Sequence, residues 1–565
     1  MNSVCNGILQ GIKYRDMFRA QYYISDLQNI AQQLISQVEE LGCINTTGVL
    51  FDVMQHLADE LDDMILPIVA YEIHVHKCEN NTLTPHERYR NFFVDSSKHS
   101  WTNVAREVLQ KYPFIFTRIT TFCLSTVENI KTCLNRLVKD RNDISNTLSV
   151  DANPVNLLEI HVSGSDRHQE GQTVIVLTFQ DKQKIVYKNC DSFIDQALHV
   201  FINLLDLSYP YDIKTRKFIK KNNYSWYEYI EHKSCNSMSE MKNYYKRSGS
   251  MLAVLDTLNY CDGHCENLIA HEEYPYLIDS ETLFQNFPLD ELEVQIGSLK
   301  QERSISFTGL IEKSDHIKKC DRSESCSAFQ AAGYIKKIFQ PRIINDHTDD
   351  IKVRFIRNEN DIMTDESSTQ PIYTILQNAP CLDKQAYTIE SFLDESIEGY
   401  MHTYQHIKNH AAVLLDGDNE FWCAIKKITS AREVIRTTLF YAMLIRRLQQ
   451  PQFSANQEVA RQYLEGYLQL HSSNLNSQLA ECEINELLQL NIPYFTHQPS
   501  CKDLFMGDNG KCANYFKYSA MEQIHWNIEH ASDIYCNRQI AILRNVINSN
   551  PIITSHCPCY NCLDD

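Results

Sequence analysis

Glycine is scarce in this sequence, with 16 residues among 565, well below the ~7% of an average protein. Since glycine is the usual residue of tight turns, its scarcity favours a helix-rich protein. No continuous apolar run approaches the roughly 18–20 residues that a membrane-spanning helix requires. The first residues also lack the charged and then apolar order of a secretory signal. We therefore expect a cytoplasmic protein without a transmembrane segment.

Basic side chains are outnumbered, because 53 Lys and Arg stand against 72 Asp and Glu and give a net charge of −19. Such a chain is not expected to bind nucleic acid or an anionic membrane through its overall charge, so any phosphate chemistry needs a local basic pocket. The 20 cysteines are scattered along the chain, which indicates thiols in a reducing compartment rather than a disulfide framework.

The spacing of apolar residues predicts the main elements. From Ile24 onward they recur every three or four positions, which is typical of a helix with one buried face. Thr173–Phe179 and Lys184–Lys188 are rich in β-branched and aromatic residues and predict a β-hairpin. A second strand pair is predicted between Asn267 and Phe284.

The length of the chain exceeds the roughly 250–300 residues of a single core, so several lobes are expected. Helical spacing returns at residues 435–448 and 458–490. Together these patterns predict a helix-rich α+β fold. Its predicted regions are a helical N-terminal lobe at 1–150, a catalytic core at 151–450, a C-terminal helical region at 451–550 and a cysteine-rich tail at 551–565.

An ordered group of polar residues carries the clearest chemical signal. Lys188 ends a predicted strand, and Asp262, Asn267 and Asp279 follow it along the chain. Phosphoryl transfer needs a cation on the nucleotide phosphates, a carboxylate that orients the attacking hydroxyl and oxygen ligands for Mg²⁺. Protein kinases present these groups in the same order. The alternative is a surface loop crowded with polar side chains, with Lys188 as a solvated strand end.

Longer segments around these residues resemble a known family. They are Trp226-Tyr-Glu-Tyr-Ile-Glu-His-Lys233, Tyr244-Tyr-Lys-Arg-Ser-Gly249, Asp262-Gly-His-Cys-Glu-Asn-Leu-Ile-Ala270 and Tyr276-Leu-Ile-Asp-Ser-Glu-Thr-Leu-Phe284, with Pro85-His-Glu-Arg-Tyr-Arg-Asn-Phe-Phe93 upstream and Ile492-Pro-Tyr-Phe495 downstream. From about residue 60 to about residue 545 the chain resembles the dehydratase domain of class II lanthipeptide synthetases. The resemblance implies a lipid-kinase-like, two-lobed catalytic core with helical additions at both ends.

The resemblance also implies a peptide Ser/Thr dehydratase that first phosphorylates its substrate with ATP and Mg²⁺. In this first step the implied roles are ATP phosphate binding by Lys188, phosphoryl transfer by Asp262 and His264, Mg²⁺ binding by Asn267 and Asp279, and a place in the nucleotide site for Glu281. Cys261 and Gly263 depart from the Thr and larger apolar residue that more often flank this Asp in the family. The charged positions are unchanged.

The second step eliminates the phosphate to give dehydroalanine or dehydrobutyrine. Arg432 and Thr438 match the family's elimination segment, although Thr437 replaces its usual proline. An Arg fork suits phosphate bidentately, whereas an Arg on a helix surface is by default solvated. Asp166 and His168 resemble a family loop that is implicated in elimination, and a His of ordinary pKa can act as acid or base near neutral pH. Without the resemblance, this loop would be a polar turn.

The resemblance implies a ribosomally made precursor peptide with a leader as the substrate. Full-length family members continue into a zinc-dependent cyclase, so we expect this chain to dehydrate without forming rings and to leave cyclisation, if any, to a separate enzyme. The tail His556-Cys-Pro-Cys559-Tyr-Asn-Cys562, which includes Cys557, is a candidate Zn²⁺ site. Its alternative is a flexible end with exposed thiols.

Three other functions remain open from the sequence. A kinase that stops at the phosphopeptide would lack effective elimination, for which Thr437 is the only hint. An inactive scaffold that binds the leader peptide would be expected to lack at least one of Lys188, Asp262, Asn267 and Asp279, and all four are present. A lipid or small-molecule kinase rests on fold analogy alone.

Overall fold

A computed structural model of the chain describes residues 2–77, 82–93, 107–163, 173–190, 192–286, 303–312, 327–331, 334–336, 341–355, 373–375, 377–470 and 477–548. Helices dominate, with strands gathered in several small sheets, which confirms the helix-rich α+β prediction. None of the described helices combines the length and the apolar character needed to cross a membrane.

The helices and strands are numbered separately in chain order. The helices are α1 Asn2–Gly11, α2 Met17–Ala20, α3 Ile24–Glu40, α4 Thr46–Val75, α5 Pro85–Phe93, α6 Pro113–Leu148, α7 Phe193–Leu205, α8 Met238–Thr257, α9 Leu393–Asn409, α10 Ala411–Leu414, α11 Glu420–Ile425, α12 Thr438–Leu448, α13 Pro451–Ser454, α14 Gln457–Leu470, α15 Ser477–Leu488, α16 Ala520–Glu529 and α17 Asp533–Asn548. The strands are β1 Leu157–Val162, β2 Ile175–Phe179, β3 Lys184–Lys188, β4 Phe218–Lys220, β5 Ser225–Glu228, β6 Leu268–His271, β7 Tyr274–Leu277, β8 Tyr334–Lys336, β9 Pro341–Ile344, β10 Lys352–Phe355, β11 Tyr373–Ile375, β12 Cys381–Leu382, β13 Gln385–Ala386, β14 Ala431–Glu433, β15 Phe495–His497, β16 Leu504–Phe505 and β17 Lys511–Cys512.

The N-terminal helices form as their apolar spacing predicts. In α3 the residues at helical spacing are buried, among them Leu27, Ile30, Leu34 and Val38. Helix α4 begins where the side chain of Asn45 accepts a hydrogen bond from the backbone N–H of Gly48 and so caps the helix. Helices α1, α3, α4 and α6 share one apolar core with strands β1, β2 and β3. The sheet that carries Lys188 is therefore backed by packed helices.

A five-stranded sheet of strand order β1-β2-β3-β5-β4 follows these helices. Strands β2 and β3 pair antiparallel with Ile175 opposite Tyr187, which confirms the predicted hairpin. Strand β3 also pairs with β5, where Lys188 lies opposite Ser225. The two-sided pairing holds the end of β3, and with it the backbone of Lys188, in a fixed place.

Helices α8 and α9 cross closely beneath the second hairpin. A Cβ atom placed on Gly249 would lie 1.9 Å from the backbone oxygen of Ser396, and one on Gly399 would lie 1.8 Å from that of Lys246. Only glycine lets the two backbones approach this closely. The second predicted strand pair is confirmed as the antiparallel hairpin β6–β7. The loop between α8 and β6 and the segment after β7 carry the predicted kinase residues.

The C-terminal part of the described chain contains a four-stranded sheet of order β14-β15-β16-β17. Helices α12, α13, α14 and α15 form a small apolar core that also includes Phe114 of α6. The predicted helical run at 458–490 is two helices, α14 and α15. The predicted region boundaries and the likeness to lipid kinases stay predictions.

Candidate active site

The loop that carries Asp262 is fixed by close backbone contact. Asp262 has a φ of 77°, in the left-handed region that few residues other than glycine adopt. A Cβ atom on Gly263 would lie 2.5 Å from the backbone oxygen of Thr308, so a larger residue at this position would displace that contact. The departure from the family pattern at Gly263 thus has a structural reason in this chain.

Asp262 and His264 face each other across this loop. His264 Nε2 lies 3.9 Å from Asp262 Oδ1, and both side chains are 35% exposed. His264 Nδ1 accepts a hydrogen bond from the backbone N–H of Glu266 at 3.2 Å. Because Nδ1 is the acceptor, the proton of the neutral ring is on Nε2, which faces Asp262. Burial raises the pKa of Asp262, while the nearby His264 and Arg432 oppose that rise.

Tyr260 and Asn267 join this loop to the segment after β7. The hydroxyl of Tyr260 lies 3.2 Å from the backbone oxygen of Asp262 and 3.1 Å from that of Asp279, and donates to this pair of acceptors. Asn267 donates its Nδ2–H to the backbone oxygen of Asp262 at 2.9 Å. Its backbone oxygen accepts from the N–H of Ile278 at 3.0 Å. The predicted transfer and metal-binding residues therefore belong to one hydrogen-bonded unit.

Lys188 reaches this unit from the end of β3. Its Nζ lies 3.2 Å from the backbone oxygen of Ile278 and 3.4 Å from Asp279 Oδ1. The Lys188 side chain is 13% exposed, so it is not a solvated strand end. Burial opposes the ionisation of Asp279, but Lys188 and Arg216 outweigh burial and lower its pKa. Asp279 is thus held as a carboxylate beside cations.

Glu281 and Arg432 form the next ion pair in the same site. Arg432 Nη1 donates to Glu281 Oε1, and Arg432 Nη2 lies 3.4 Å from Thr438 Oγ1. The hydroxyl of Tyr494 donates to Glu281 Oε2 at 3.3 Å, and its ring centroid lies 5.5 Å from the Arg432 guanidinium carbon. Arg432 is in strand β14, opposite Thr496, and is 9% exposed. The alternative of a solvated Arg on a helix surface is wrong for Arg432.

Several charged groups lie near Glu281 and shift its pKa and that of Arg432. Burial raises the pKa of Glu281 and the nearby Asp279 raises it further, whereas Arg432 opposes both effects. Burial disfavours the charged form of Arg432, but Glu281, Tyr494 and Asp262 together outweigh burial and raise the pKa of Arg432. The guanidinium is therefore a permanent cation in a largely dry site, where a phosphate dianion would interact with it more strongly than in water.

The structure brings eight of the predicted residues into one connected region. They are Lys188, Asp262, His264, Asn267, Asp279, Glu281, Arg432 and Thr438. Asp166 and His168 lie outside the described residues, as does the tail with His556, Cys557, Cys559 and Cys562.

Asp195 and Arg216 belong to the site although the sequence did not point to them. Asp195, in the first turn of α7, accepts hydrogen bonds from Ser280 Oγ at 2.9 Å and from the hydroxyl of Tyr227 at 2.8 Å. Arg216 Nη2 lies 3.6 Å from Asp195 Oδ1, and its guanidinium carbon lies 3.6 Å from the Tyr227 ring centroid. Ser280 separates Asp279 from Glu281, so Asp195 anchors the segment that carries both carboxylates.

The donor set of the site fits Mg²⁺. Mg²⁺ prefers carboxylate and carbonyl oxygens, which Asp279 and Asn267 can supply. Asn267 uses its Nδ2 in the bond to Asp262, so its Oδ1 is the side-chain atom suited to a metal. Lys188 and Arg432 are cations with which the oxygens of a bound nucleotide or phosphorylated residue can pair.

A second group of possible metal ligands is already neutralised by protein groups. Asp16, Asp346 and His347 place one ligand atom each within 4.8 Å of the others. However, Arg19 Nη1 lies 2.9 Å from Asp346 Oδ1, and the hydroxyl of Tyr89 donates to Asp16. Because a guanidinium occupies this cluster, we assign it a structural role.

The geometry defines a class of site in which a partly buried lysine and a buried arginine flank a carboxylate and an amide suited to a metal, as enzymes that handle phosphate require. The chain belongs to the family described as a domain of unknown function, DUF4135, which matches residues 112–498.

The chain is also similar to a named protein. The lacticin 481/lactococcin biosynthesis protein LcnDR2 of Lactococcus lactis subsp. lactis is 25% identical to the chain over 467 residues, which cover 78% of this chain. The matched part amounts to 47% of that relative, so the chain spans about half of its length.

Proposed function

We propose that this protein takes part in lanthipeptide maturation as a Ser/Thr dehydratase of a ribosomally made precursor peptide. It transfers a phosphoryl group from ATP to a side-chain hydroxyl and then eliminates phosphate from the same residue. The proposed scaffold is a lipid-kinase-like, two-lobed core. The observation that carries the proposal is the continuous run of contacts from Lys188 through Asp279 and Glu281 to Arg432 and Thr438. The printed name of the relative, a lacticin biosynthesis protein, supports the peptide class.

In the first half-reaction Lys188 pairs with the nucleotide phosphates and Asp262 orients the attacking hydroxyl. His264 Nε2–H lies beside Asp262 and can stabilise negative charge that develops near this carboxylate. Asn267 and Asp279 would hold Mg²⁺, which when bound neutralises phosphate charge. The hydroxyl oxygen forms a bond to the γ-phosphorus, the bond to ADP breaks, and the hydroxyl proton leaves to Asp262 or to solvent.

In the second half-reaction a base removes the α-proton of the phosphorylated residue. The electron pair forms the Cα–Cβ double bond, and the Cβ–O bond breaks as phosphate leaves. Arg432 pairs with that leaving group, and Thr438 orients the guanidinium by the 3.4 Å contact of its hydroxyl with Nη2. The predicted loop of Asp166 and His168 is our candidate for the source of the base.

A second candidate function is a peptide kinase that stops at the phosphopeptide. The ion pair of Arg432 with Glu281 favours it, because this pair occupies the guanidinium that elimination needs. Mass spectrometry separates the two functions after incubation of the protein with a precursor peptide, ATP and Mg²⁺. Dehydration removes about 18 Da per residue, whereas phosphorylation adds about 80 Da. A peptide of unchanged mass, with no ADP formed, would contradict both.

A further inference from the structure

The side-chain amide of Gln285 binds the backbone of the chain at Arg432. Its Nε2–H donates to the backbone oxygen of Arg432 at 2.5 Å, and its Oε1 accepts from the backbone N–H of Val434 at 2.9 Å. Gln285 is buried, so these bonds are shielded from water. Strand β14 also pairs with β15, and the amide of Gln285 adds a second set of backbone bonds to it.

The segment from Glu281 to Asn286 binds β14 at two further points. The backbone N–H of Arg432 donates to the backbone oxygen of Glu281 at 3.0 Å, and the backbone N–H of Asn286 donates to Glu433 Oε2 at 3.3 Å. Both backbone groups of Arg432 are thus bound by the segment that follows Asp279. The part of the site proposed for phosphoryl transfer therefore sets the position of the Arg432 backbone.

The residue just before Gln285 has an unfavourable backbone conformation. Phe284 has a φ of 67°, in the left-handed region, where a bulky side chain is rarely found. Its backbone N–H donates to the oxygen of Leu258 at 3.0 Å, and the backbone N–H of Gln285 donates to the oxygen of Asn259 at 3.0 Å. Such strain persists where surrounding contacts fix it, often at functional sites. The turn at Phe284 accordingly fixes the backbone from which the Gln285 amide reaches β14.

Elimination needs a guanidinium that changes its partner while its backbone stays in place. In the structure the guanidinium of Arg432 is paired with Glu281, and a leaving phosphate must compete with that carboxylate. An arginine side chain has several rotatable bonds, so a fixed backbone limits the positions that its guanidinium can reach. Misplacement of a reacting group by about 1 Å can slow a reaction by about 10²-fold.

We propose that Gln285 is a positioning residue for elimination, because its amide fixes the backbone from which Arg432 reaches the leaving phosphate. The inference rests on the proposed function and adds to it a residue that acts through Arg432. The role requires an amide, since a backbone oxygen only accepts and a backbone N–H only donates. One side chain must therefore offer a donor and an acceptor together.

The test replaces Gln285 in the full-length protein by Met or by Glu. Met has a similar length but can make neither bond, and Glu keeps only the acceptor for Val434. Each variant receives a precursor peptide with ATP and Mg²⁺, and separately the same peptide synthesised with phosphoserine in place of one serine. Elimination from phosphoserine should slow by about tenfold to 10²-fold, while phosphorylation of the unmodified peptide should stay close to the wild-type rate.

The double variant Gln285→Met/Arg432→Met distinguishes positioning from a purely structural role. If Gln285 acts through Arg432, the double variant should eliminate phosphate no more slowly than Arg432→Met alone. A further loss of elimination in the double variant, matched by an equal loss of phosphorylation, would show that Gln285 only stabilises the fold and would overturn the proposal.

Gln539→Met is the matched control, because the amide of Gln539 binds backbone groups in the same pattern elsewhere. Its Nε2–H donates to the oxygen of Arg303 at 3.1 Å, and its Oε1 accepts from the N–H of Ile305 at 3.0 Å. Gln539→Met should lower the urea midpoint without accumulation of phosphopeptide. Circular dichroism checks that each variant is folded.

Two outcomes separate this inference from the proposed function. Elimination by folded Gln285→Met and Gln285→Glu at the wild-type rate, or an equal loss in Gln539→Met, would overturn the positioning role and leave the dehydratase proposal standing. Failure of the wild-type protein to eliminate phosphate from the phosphoserine peptide would refute the dehydratase proposal and the positioning role with it.

Discussion

Replacement of Arg432 by Met should separate the two half-reactions. Met retains much of the apolar stem but removes the guanidinium that pairs with Glu281 and contacts Thr438. The groups proposed for phosphoryl transfer are unchanged by this replacement. We therefore expect Arg432→Met to phosphorylate the peptide and to accumulate the phosphopeptide.

The size of the effect follows from the electrostatics of the site. Removal of one preorganised group that stabilises developing charge typically slows a reaction by about 10²–10³-fold, and we expect that loss in the elimination rate. Breaking a fully buried ion pair costs about 3–5 kcal/mol. Because the side chains of Arg432 and Glu281 are 11% and 23% exposed, we expect about 2 kcal/mol here. The variant should remain folded.

The assay follows the masses of intact peptide, phosphopeptide and dehydrated peptide against time. Arg436→Met is the matched control, since Arg436 Nε pairs with Glu483 Oε1 at 2.7 Å, away from Glu281. It should lower the free energy of unfolding without building up phosphopeptide. Dehydration by Arg432→Met at the wild-type rate would refute the assignment of Arg432 to elimination.

Three further predictions test the proposed phosphate-binding role of Lys188, the close packing of α8 against α9 at Gly249, and the ionisation of Asp279. Lys188→Met should slow the peptide-dependent formation of ADP by about 10²-fold or more. Lys184→Met, at an exposed position of the same strand, should leave that rate unchanged. Gly249→Ala should lower the free energy of unfolding, measured in urea, by about 3 kcal/mol, because the alanine methyl group would lie 1.9 Å from a backbone oxygen of α9. The control Gly466→Ala, for which no atom lies within 4 Å of the added Cβ, should raise the free energy of unfolding by up to about 1 kcal/mol. The folded pKa of Asp279 is lowered, so the stabilising contribution of the Asp279 carboxylate is present above the unfolded pKa of about 4 and is lost as pH falls through the folded pKa. The difference in urea midpoint between wild type and Asp279→Asn should therefore shrink between about pH 5 and about pH 3. A difference that stays constant over this range would contradict the prediction.

The local sequence pattern was sufficient to predict the main helices and strands and the order of the proposed kinase residues. The hairpin that ends at Lys188 could be predicted because β-branched residues, a polar turn and a second apolar run are all adjacent in the chain. The second hairpin places Asp279 just after Leu277 for the same reason. The periodicity of apolar residues does not specify how these segments pack against each other. The tertiary contacts between them are known only from the structure.

Residues that act through distant contacts were beyond sequence reasoning. Asp195 is 85 positions from Ser280 in the chain, and an acidic residue in the first turn of a helix is common on electrostatic grounds alone. Arg216 lies between predicted elements, with no pattern that links it to Tyr227. For Arg432, the alternative of a solvated helical position is wrong because pairing of β14 with β15 places it in a sheet. Tertiary packing, which periodicity does not encode, decided all three.

Glu281 makes the two proposed half-reactions interdependent. It comes after Asp279, a proposed Mg²⁺ ligand, and Ser280 in the chain, and its carboxylate holds the guanidinium of Arg432. Phosphate can take both donors of the Arg432 fork only if that carboxylate gives up its own bond. Charge brought to Asp279 changes the electrostatic cost of an ionised Glu281, because the nearby Asp279 raises the pKa of Glu281. Binding of nucleotide and Mg²⁺ near Asp279 should therefore change the strength of the ion pair between Glu281 and Arg432. This change would couple phosphorylation to elimination within one site.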